Sequence, residues 1–515
     1  MANRSYVASS MFLGLQEISF RECIVFVTTC LFVRLLVSRG SFKKSTPPSN
    51  PPPPSPTGLP FFGNLFSFQE DMRHLFRKWT NEIGGIFRLR IGPVMDIVVI
   101  NDVEAIREAF VEKADAFSDR MVPPLLGVAF GKRGSLIWPA GDGWKKTRKF
   151  GHSAFRSMGL GNRRIEDKIV EEGRVLVQAC EMKEGEPFNP RVLITNAVGN
   201  MIACLVTGSR YDYGDPDFVK IVGDIERLSE NTSLTSLGNV FPFLYYTPLY
   251  TGFRRPMQDI ISYIKSMVKQ HQQNFDPLNV RDIIDLYMVE LKQQREQQIP
   301  GVVEENLEWR LVVELFLAGM VTTSDSLLWA ILIVAQHPQL MKEIQKEIDD
   351  VIGEERPPKM ADQDALPLIV ATLMEVSRIR PVTPLALPRL TSRDATVQGY
   401  HIPKDTVVLM NLWEVLNTPK NWDKPEEFNP YRFLSEDRRS VVDHPAFIPF
   451  GIGLRACLGE KLARMQMFII FTSLLQRFTF CLADDSRSVG MKGKAGIAYS
   501  PLKYDIILKR RENSD

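Results

Sequence analysis

The stretch FGIGLRACLG, residues 450–459, places a cysteine between glycines immediately before a long amphipathic segment. Gly453 permits a tight backbone turn, and Gly459 lets the following helix begin close to a bulky planar group. A cysteine at the start of a helix is held as a thiolate by the positive end of the helix dipole, and Arg455 adds a nearby cation. Thiolate ligation of haem iron favours cleavage of an O–O bond. We therefore interpret Cys457 as a metal ligand in an oxidative site.

Two other interpretations of this stretch are weaker. A lone cysteine in an intracellular protein usually packs as a small buried hydrophobe. Gly451 and Gly453 could open a dinucleotide-binding loop, but no third glycine follows three residues later. The pattern FxxGxRxCxG, in contrast, has five fixed positions filled within ten residues, beginning at Phe450. It resembles the haem-binding signature of the cytochromes P-450, which implies that Cys457 is the axial ligand of haem iron.

The overall composition excludes several classes of protein. Lys and Arg number 63 against 61 Asp and Glu, so no global charge favours nucleic acid as a partner. The six cysteines show no paired short spacings, which argues against a disulfide framework or a zinc knuckle. The six histidines are scattered, without an HxxH or HExxH pair, so a histidine metal site has little support.

The N-terminal part of the chain predicts attachment to a membrane. Cys23–Val33 is an uncharged, mostly apolar run, and three further apolar residues follow Arg34. Because about 20 apolar residues are needed to cross a bilayer, the segment is marginal as a span. A cleaved signal peptide is the alternative, although no A-x-A-like cleavage site is present. Arg39, Lys43 and Lys44 follow the segment and place the bulk of the chain in the cytosol.

We therefore predict a lumenal segment 1–22, a signal anchor 23–38, a basic and proline-rich hinge 39–60 and a haem-thiolate catalytic domain 61–515. Thr46–Pro60 contains eight prolines in fifteen residues and predicts a stiff spacer. Ile86–Ile91 and Asp96–Ile100 predict a short hairpin. Most of the remaining chain has a helical pattern, so the expected fold is mainly α with small β-sheets.

Trp144 and Arg148 lie four residues apart and share one face of a predicted helix. Taken alone, they would indicate a surface helix with a half-buried tryptophan. In the cytochromes P-450, a WxxxR pair at this place donates to a haem propionate, and a buried dianionic cofactor requires cationic partners. The resemblance implies further haem contacts by Arg120, Ala318, Arg389, Phe450 and Arg455.

The longest strongly apolar helical segment is Leu311–Gln336. Gly319 weakens a helix by about 1 kcal/mol relative to alanine, and the Thr322 hydroxyl can bond its own preceding turn, so we expect a groove or kink. The segment resembles the oxygen-binding helix of the cytochromes P-450, which implies that Thr322 assists protonation during oxygen activation. Val321 departs from that pattern, because an acid is usual there. Ala318–Ser324 resembles the form found in the 2D subfamily of family 2, so we interpret Val321 as a lineage marker.

Glu375 and Arg378 form an ExxR pattern inside an apolar helix. Removing one partner of a buried ion pair costs about 3–5 kcal/mol. With Arg432, the pair resembles the structural triad of the family, so its implied role is folding and haem incorporation rather than catalysis.

The resemblance also implies a substrate pocket. Its lining candidates are Leu136, Ile137, Trp138, Glu314, Phe316, Ala318, Leu385, Leu387 and Ile497. The Glu314 carboxylate either recognises basic amine substrates or serves as a helix-surface or capping group. Phe241–Tyr246 is either a second membrane contact at a substrate entrance or a buried loop.

The patterns WxxxR, AGxxTT, ExxR and FxxGxRxCxG occur in this order, and the whole resembles family 2 of the cytochromes P-450. The resemblance implies haem b as cofactor, insertion of one oxygen atom into a lipophilic substrate (fatty acid, steroid, amine or xenobiotic) and a location at the endoplasmic reticulum membrane. The segment after Cys457 is too short for a reductase domain, so electrons must come from a separate protein. NADPH-cytochrome reductase is the expected partner and cytochrome b5 a second candidate. A basic face would attract such a partner: Lys145, Lys146, Lys149, Lys461 and Arg464. The alternatives are an isomerase or dehydratase that uses a peroxide substrate and a non-catalytic haem-binding protein.

Overall fold

The computed structural model describes residues 50–60, 62–69, 71–91, 95–130, 136–138, 140–159, 163–232, 236–298, 303–304, 307–486 and 488–511. The predicted lumenal segment 1–22 and signal anchor 23–38 lie outside these residues. So does the first part of the predicted hinge.

Helices make up most of the described chain. The α-helices are α1 (Met72–Ile83), α2 (Val103–Arg107), α3 (Ala114–Phe117), α4 (Pro124–Phe130), α5 (Gly141–Ser157), α6 (Arg163–Glu181), α7 (Arg191–Thr207), α8 (Pro216–Asn231), α9 (Leu237–Val240), α10 (Thr251–Gln273), α11 (Ile283–Gln297), α12 (Glu308–Ala335), α13 (Pro338–Val351), α14 (Pro367–Ile379), α15 (Leu412–Asn417) and α16 (Glu460–Arg477). The mainly helical fold predicted from the sequence is confirmed.

The strands form small sheets. They are β1 (Ile86–Ile91), β2 (Met95–Ile100), β3 (Arg389–Leu390), β4 (Ala395–Val397), β5 (Tyr400–Ile402), β6 (Val407–Met410), β7 (Phe478–Leu482), β8 (Gly493–Ala495), β9 (Tyr499–Pro501) and β10 (Ile506–Arg510). β1 and β2 form the predicted antiparallel hairpin, and the order β1-β2-β6-β3 makes the largest sheet among the described residues. The remaining strands pair as β10-β7, β4-β5 and β8-β9.

The core is organised around α12. This helix is apolar on nearly all sides, and such a helix is stable only when other elements surround it. It packs against α7, α10 and α16, among others. Among the described residues, α12 is the one helix long and apolar enough to cross a membrane, but 72% of that apolar window is buried inside the protein. It is therefore a core helix.

The second half of the predicted hinge is docked on the domain. The Pro54 carbonyl accepts a hydrogen bond from the Arg88 backbone N–H at 2.7 Å, and the Pro51 carbonyl accepts one from His401 at 2.8 Å. Proline lacks an N–H but keeps its carbonyl acceptor, so a proline-rich segment can bind a strand edge through its oxygens alone. Residues 50–60 therefore lie against β1 and β5 rather than standing away from the domain.

A buried ion-pair network ties α14 to the chain that follows it. Glu375 and Arg378 are fully buried and share two hydrogen bonds of 2.7 and 2.8 Å. Arg432 Nε donates to the same carboxylate at 3.2 Å. Arg378 also donates to the carbonyls of Leu416 and Pro425, so its charge is well satisfied. Glu375, Arg378 and Arg432, the predicted triad, are thus joined through the Glu375 carboxylate.

Candidate active site

The cysteine loop is shaped by Gly453. This residue begins a short 3₁₀ turn, Gly453–Arg455, with φ at +75°. A Cβ at Gly453 would lie 1.8 Å from the carbonyl oxygen of Phe110, so no other residue fits without moving the backbone. Phe110 belongs to a π-helical turn, Glu108–Glu112, which brings its carbonyl against the loop.

Cys457 lies just before α16 and lines a cavity inside the protein. Cys457 is exposed, and its place in the cavity lining shows that its side chain faces that cavity. Burial raises the pKa of the thiol and Glu460 adds to the rise, whereas the Gly459 N–H and Arg148 lower it. Burial therefore opposes the thiolate form of Cys457 in the polypeptide alone. A coordinating metal ion deprotonates a thiol outright, so metal ligation would convert Cys457 to the thiolate.

The cavity lies between the cysteine loop and α12 and has a volume of about 270 Å³. Ala318, Gly319 and Thr322 are part of its α12 wall, and Ala318 is exposed to it although most of the helix is buried. Thr322 Oγ1 donates to the Ala318 carbonyl at 2.7 Å, as predicted. Val321 is buried and is not among the described residues that line the cavity.

Four arginines line one side of the cavity: Arg120, Arg148, Arg389 and Arg455. Burial, then repulsion by neighbouring guanidinium groups, lowers the pKa of Arg120 to about 9 and that of Arg455 to about 8. The pKa of Arg389 is lowered far below its usual range for the same reasons. Such a concentration of like charge is unfavourable unless an anion neutralises it.

Two of these arginines and a neighbouring tryptophan have N–H groups that lack a hydrogen-bond acceptor among the described residues. Arg120 Nε, Arg389 Nε and Trp144 Nε1 are buried, and none of them has a hydrogen-bond partner among the described residues. The guanidinium carbon of Arg455 lies 3.4 Å from the centre of the Trp144 ring, which places Trp144 beside the cluster. Arg148 Nη2 donates to the Ala456 carbonyl and so joins α5 to the cysteine loop. Buried donors without acceptors are rare, and carboxylate groups would satisfy them.

The residues present therefore fit haem. The two haem propionates would supply carboxylates for the unpaired donors, and the Cys457 sulfur would be a ligand of the iron. A Cβ at Gly459, which lines the cavity, would meet no protein atom within 4 Å. That open space next to the cysteine suits a planar group. The fold and the site together define a haem-thiolate protein.

Comparison with known proteins agrees with this class. The cytochrome P-450 family model matches residues 53–508. Cytochrome P-450 2U1 of Homo sapiens is 39% identical over 445 residues, covering 85% of this chain and 80% of the relative. Cytochrome P-450 2J1 of Oryctolagus cuniculus is 36% identical over 475 residues, covering 90% and 92%. Cytochrome P-450 2D3 of Rattus norvegicus is 37% identical over 468 residues, covering 89% and 93%.

The chain belongs to the cytochrome P-450 family, and these relatives place it in family 2. It is an oxidoreductase of the monooxygenase class with haem b as its cofactor. The resemblance of Ala318–Ser324 to the 2D subfamily does not single out that subfamily, since the 2U1 and 2J relatives have similar identities.

The predicted pocket residues divide into two groups. Five of them line the cavity: Leu136, Ile137, Glu314, Ala318 and Leu387. The other four are not among the described residues that line it: Trp138, Phe316, Leu385 and Ile497. Phe316 is 2% exposed within the main core, and Leu385 packs with Phe76 and Trp79 in a separate core cluster.

Glu314 holds a loop in place. Its Oε2 accepts hydrogen bonds from the backbone N–H groups of Leu136 at 2.8 Å and Ile137 at 3.2 Å. The residue is 5% exposed, so the carboxylate is buried at the edge of the cavity. Backbone amides that already donate to it compete with any amine of a substrate.

The sequence interpretation missed other lining residues. Ile202 and Leu205 come from α7, which is apolar on nearly all sides and gives no pattern that marks one face. Arg380 lies two residues after the ExxR pattern and also lines the cavity. A second arginine just after the ExxR pattern, in an otherwise apolar segment, was the signal that could have identified it.

Proposed function

We propose that this protein is a microsomal monooxygenase that oxidises a lipophilic substrate with electrons from NADPH-cytochrome reductase. The observation that carries the proposal is the placement of Cys457, Thr322 and the four arginines around one cavity. When bound, haem supplies the oxygen activation. The polypeptide supplies the ligand, neutralises the propionates and encloses the substrate.

Thr322 is the residue that we assign to proton handling. Its hydroxyl now donates to the Ala318 carbonyl, and a rotation about χ1 would turn it towards the cavity. Thr323 and Ser326 line the same wall, and their hydroxyls can hold water next to Thr322. Because Val321 cannot carry a proton, the route runs through Thr322 and such water.

The basic face supports docking of an acidic electron donor. Lys145, Lys146, Lys149 and Lys461 are exposed on α5 and α16, the two helices that flank the cysteine loop. Arg464 pairs with Glu460 at 2.9 Å and packs over Phe450. Lys145 pairs with Asp142 at 3.1 Å, so Lys146, Lys149 and Lys461 contribute most to the positive charge of this face. We propose that the reductase binds here and that cytochrome b5 competes for the same surface.

We place the protein at the endoplasmic reticulum membrane, with 23–38 as its anchor and the catalytic domain in the cytosol. The segment Phe241–Tyr246 supports a second contact with the bilayer. Phe243 is 66% exposed, Tyr246 is 71% exposed and nearby Leu249 is 73% exposed. Tyr245 is buried beneath them and fixes the segment to the domain. Exposed apolar groups clustered in this way are typical of membrane contacts.

Reconstitution of the full chain in lipid with the reductase tests this function. NADPH consumption and oxygenated product are expected only when the reductase and dioxygen are both present. Turnover of a lipid hydroperoxide without reductant would instead identify an isomerase or dehydratase. Thr322→Ala should divert reducing equivalents from product to hydrogen peroxide, and unchanged coupling would contradict the role of Thr322.

A further inference from the structure

Arg73, in the first turn of α1, caps a notch between two aromatic rings. Its guanidinium carbon lies 3.9 Å from the centre of the Tyr499 ring and 4.6 Å from that of the Trp413 ring. The two ring centres are 6.2 Å apart, and the ring planes meet at 75°. Both aromatic residues are buried, whereas the Arg73 side chain is partly exposed. Arg73 therefore covers the notch on its solvent side.

The same two rings lie directly behind the wall of the cavity. The Tyr499 N–H donates to the carbonyl of Val382, which lines the cavity, at 2.7 Å. Arg380 also lines the cavity, and its guanidinium carbon lies 5.6 Å from the centre of the Trp413 ring. Trp413 thus contacts a cavity-lining arginine and the surface residue Arg73. A single aromatic layer therefore lies between Arg73 and the cavity wall.

Two weak interactions hold Arg73 over the notch. Asp71, the N-cap residue of α1, accepts hydrogen bonds from Arg73 Nε at 2.8 Å and from Arg73 Nη2. Asp71 is exposed, and an ion pair with an exposed partner contributes little to stability. The second interaction is the cation–π contact, which is modest for a partly exposed cation. The charge of Arg380 repels Arg73 and opposes both, so release of Arg73 into solvent is easy.

The Tyr499 side of the notch is rigid. Trp329 Nε1 donates to the Tyr499 carbonyl at 2.9 Å, and the two rings stack with their centres 5.6 Å apart. A Cβ at Gly493 would lie 2.6 Å from Cζ of Tyr499 and 2.8 Å from Cζ2 of Trp329, so β8 packs directly against both rings. Exposed side chains change rotamer within picoseconds to nanoseconds, whereas close packing holds buried rings in place. Arg73 is therefore the group that moves most readily.

We propose that Arg73 is a lid that closes a passage between the cavity and the protein surface beside α1. When the guanidinium swings into solvent, the notch is uncovered, and a small rotation of the Trp413 ring lets a flat apolar ligand pass Tyr499. Return of Arg73 over the rings closes the passage again. This inference goes beyond the proposed function, because it concerns the exchange of ligands with the cavity and not the reaction.

Binding kinetics of phenylimidazole, a flat apolar ligand of haem iron, test the proposal on the full-length haem-loaded protein. Stopped-flow absorbance in the Soret region gives the association and dissociation rate constants separately. A lid changes the path and not the bound state, so its loss changes both rate constants by one factor and leaves the dissociation constant unchanged. Arg73→Gln should raise both rate constants about three- to tenfold, as expected for loss of a partly buried cation–π contact. Arg73→Lys keeps a cation over the rings and should raise them less.

Asp71→Asn tests the lid without changing Arg73 or the rings. Asparagine caps a helix about as well as aspartate, so α1 keeps its N-cap while Arg73 loses the charge that holds it. Both rate constants should rise, by a smaller factor than in Arg73→Gln. Rate constants equal to those of the wild type would contradict the part that Asp71 plays in closing the lid.

Arg77→Gln is the matched control. Arg77 lies one turn further along α1 and donates to Glu414 at 3.0 Å and to the Asn417 carbonyl at 2.8 Å, so it joins α1 to α15. Its replacement should leave both rate constants unchanged, and an effect equal to that of Arg73→Gln would overturn the proposal. Unchanged rate constants in Arg73→Gln would overturn it as well. So would a rise in the dissociation rate constant alone, since weaker binding with unchanged association marks a structural role of Arg73.

Failure of this inference is distinguishable from failure of the proposed function. An enzyme that oxygenates substrates with NADPH and reductase, but whose ligand exchange does not respond to Arg73→Gln, contradicts only the lid. An enzyme with faster ligand exchange in Arg73→Gln and no reductase-dependent oxygenation contradicts the proposed function while the lid stands.

Discussion

At the scale of single residues, the cofactor site is defined by donors that lack acceptors. Trp144 Nε1 and the Nε atoms of Arg120 and Arg389 are buried without partners among the described residues. Each would carry a desolvation penalty of about 1–3 kcal/mol if it stayed unsatisfied. The positions of Trp144 and Arg148 could be predicted from a four-residue spacing. The convergence of four arginines from distant parts of the chain could not.

Trp144→Phe tests the contribution of one such donor. The variant keeps an aromatic ring against Arg455 but removes the N–H group. Hydrogen bonds to charged groups contribute about 1.5–3 kcal/mol, so transfer of haem to apomyoglobin should become roughly ten- to hundredfold faster. Trp309→Phe is the control. Trp309 lies in the first turn of α12 and is not among the described residues that line the cavity, so this substitution should not change the rate. Equal rates for wild type and Trp144→Phe would show that Trp144 does not hold a propionate.

At the scale of elements, α12 shows what sequence patterns can and cannot predict. Its length, its buried character and the back-bonding of Thr322 to Ala318 all follow from local sequence. The reason why residue 319 is a glycine does not follow from local sequence alone. A Cβ at Gly319 would lie 2.6 Å from Cδ1 of Ile202, so the glycine also admits close packing of α7. Because α7 lies more than a hundred residues earlier in the chain, only the folded structure reveals this contact.

Gly319→Ala should therefore destabilise the protein. Overpacking costs about 1–3 kcal/mol, whereas alanine gains up to about 1 kcal/mol of helix propensity, so we expect a net destabilisation of up to about 2 kcal/mol. In an Ile202→Ala background, the clash is absent and the same substitution should become stabilising. Thermal unfolding of the four proteins in this double-mutant cycle measures the coupling. Destabilisation by Gly319→Ala of the same size in both backgrounds would exclude the packing explanation.

At the scale of the whole molecule, the cysteine loop and the elements around it were more predictable from the sequence than the wall of the cavity. The cysteine loop, the ExxR pair and the basic helices each have a short pattern in the sequence. The cavity wall is assembled from segments without such patterns, which is why Arg380 and Ile202 were missed while Phe316 and Leu385 were expected there. Glu314 was visible as a carboxylate on α12, but its two backbone donors come from a loop far away in sequence.

The basic face predicts that association with the electron donor is accelerated by electrostatic attraction. Lys146→Glu combined with Lys461→Glu should slow the first reduction by the reductase several-fold at low salt, because charge steering is reversed. The difference from wild type should shrink as ionic strength rises, since screening weakens interactions between exposed charges. Stopped-flow reduction under carbon monoxide measures the rate. Lys404→Glu, near β5, is the control, and an equal slowing by that substitution would contradict a local docking face.

Cys457 as the ligand of haem iron is the assignment on which the proposed function most depends. The reduced carbon monoxide complex of the wild-type protein should show the long-wavelength Soret band that thiolate ligation produces. Cys457→Ser should eliminate that band, and Cys204→Ser, which changes a partly buried cysteine elsewhere, should retain it. Survival of the long-wavelength band in Cys457→Ser would contradict the haem-thiolate assignment.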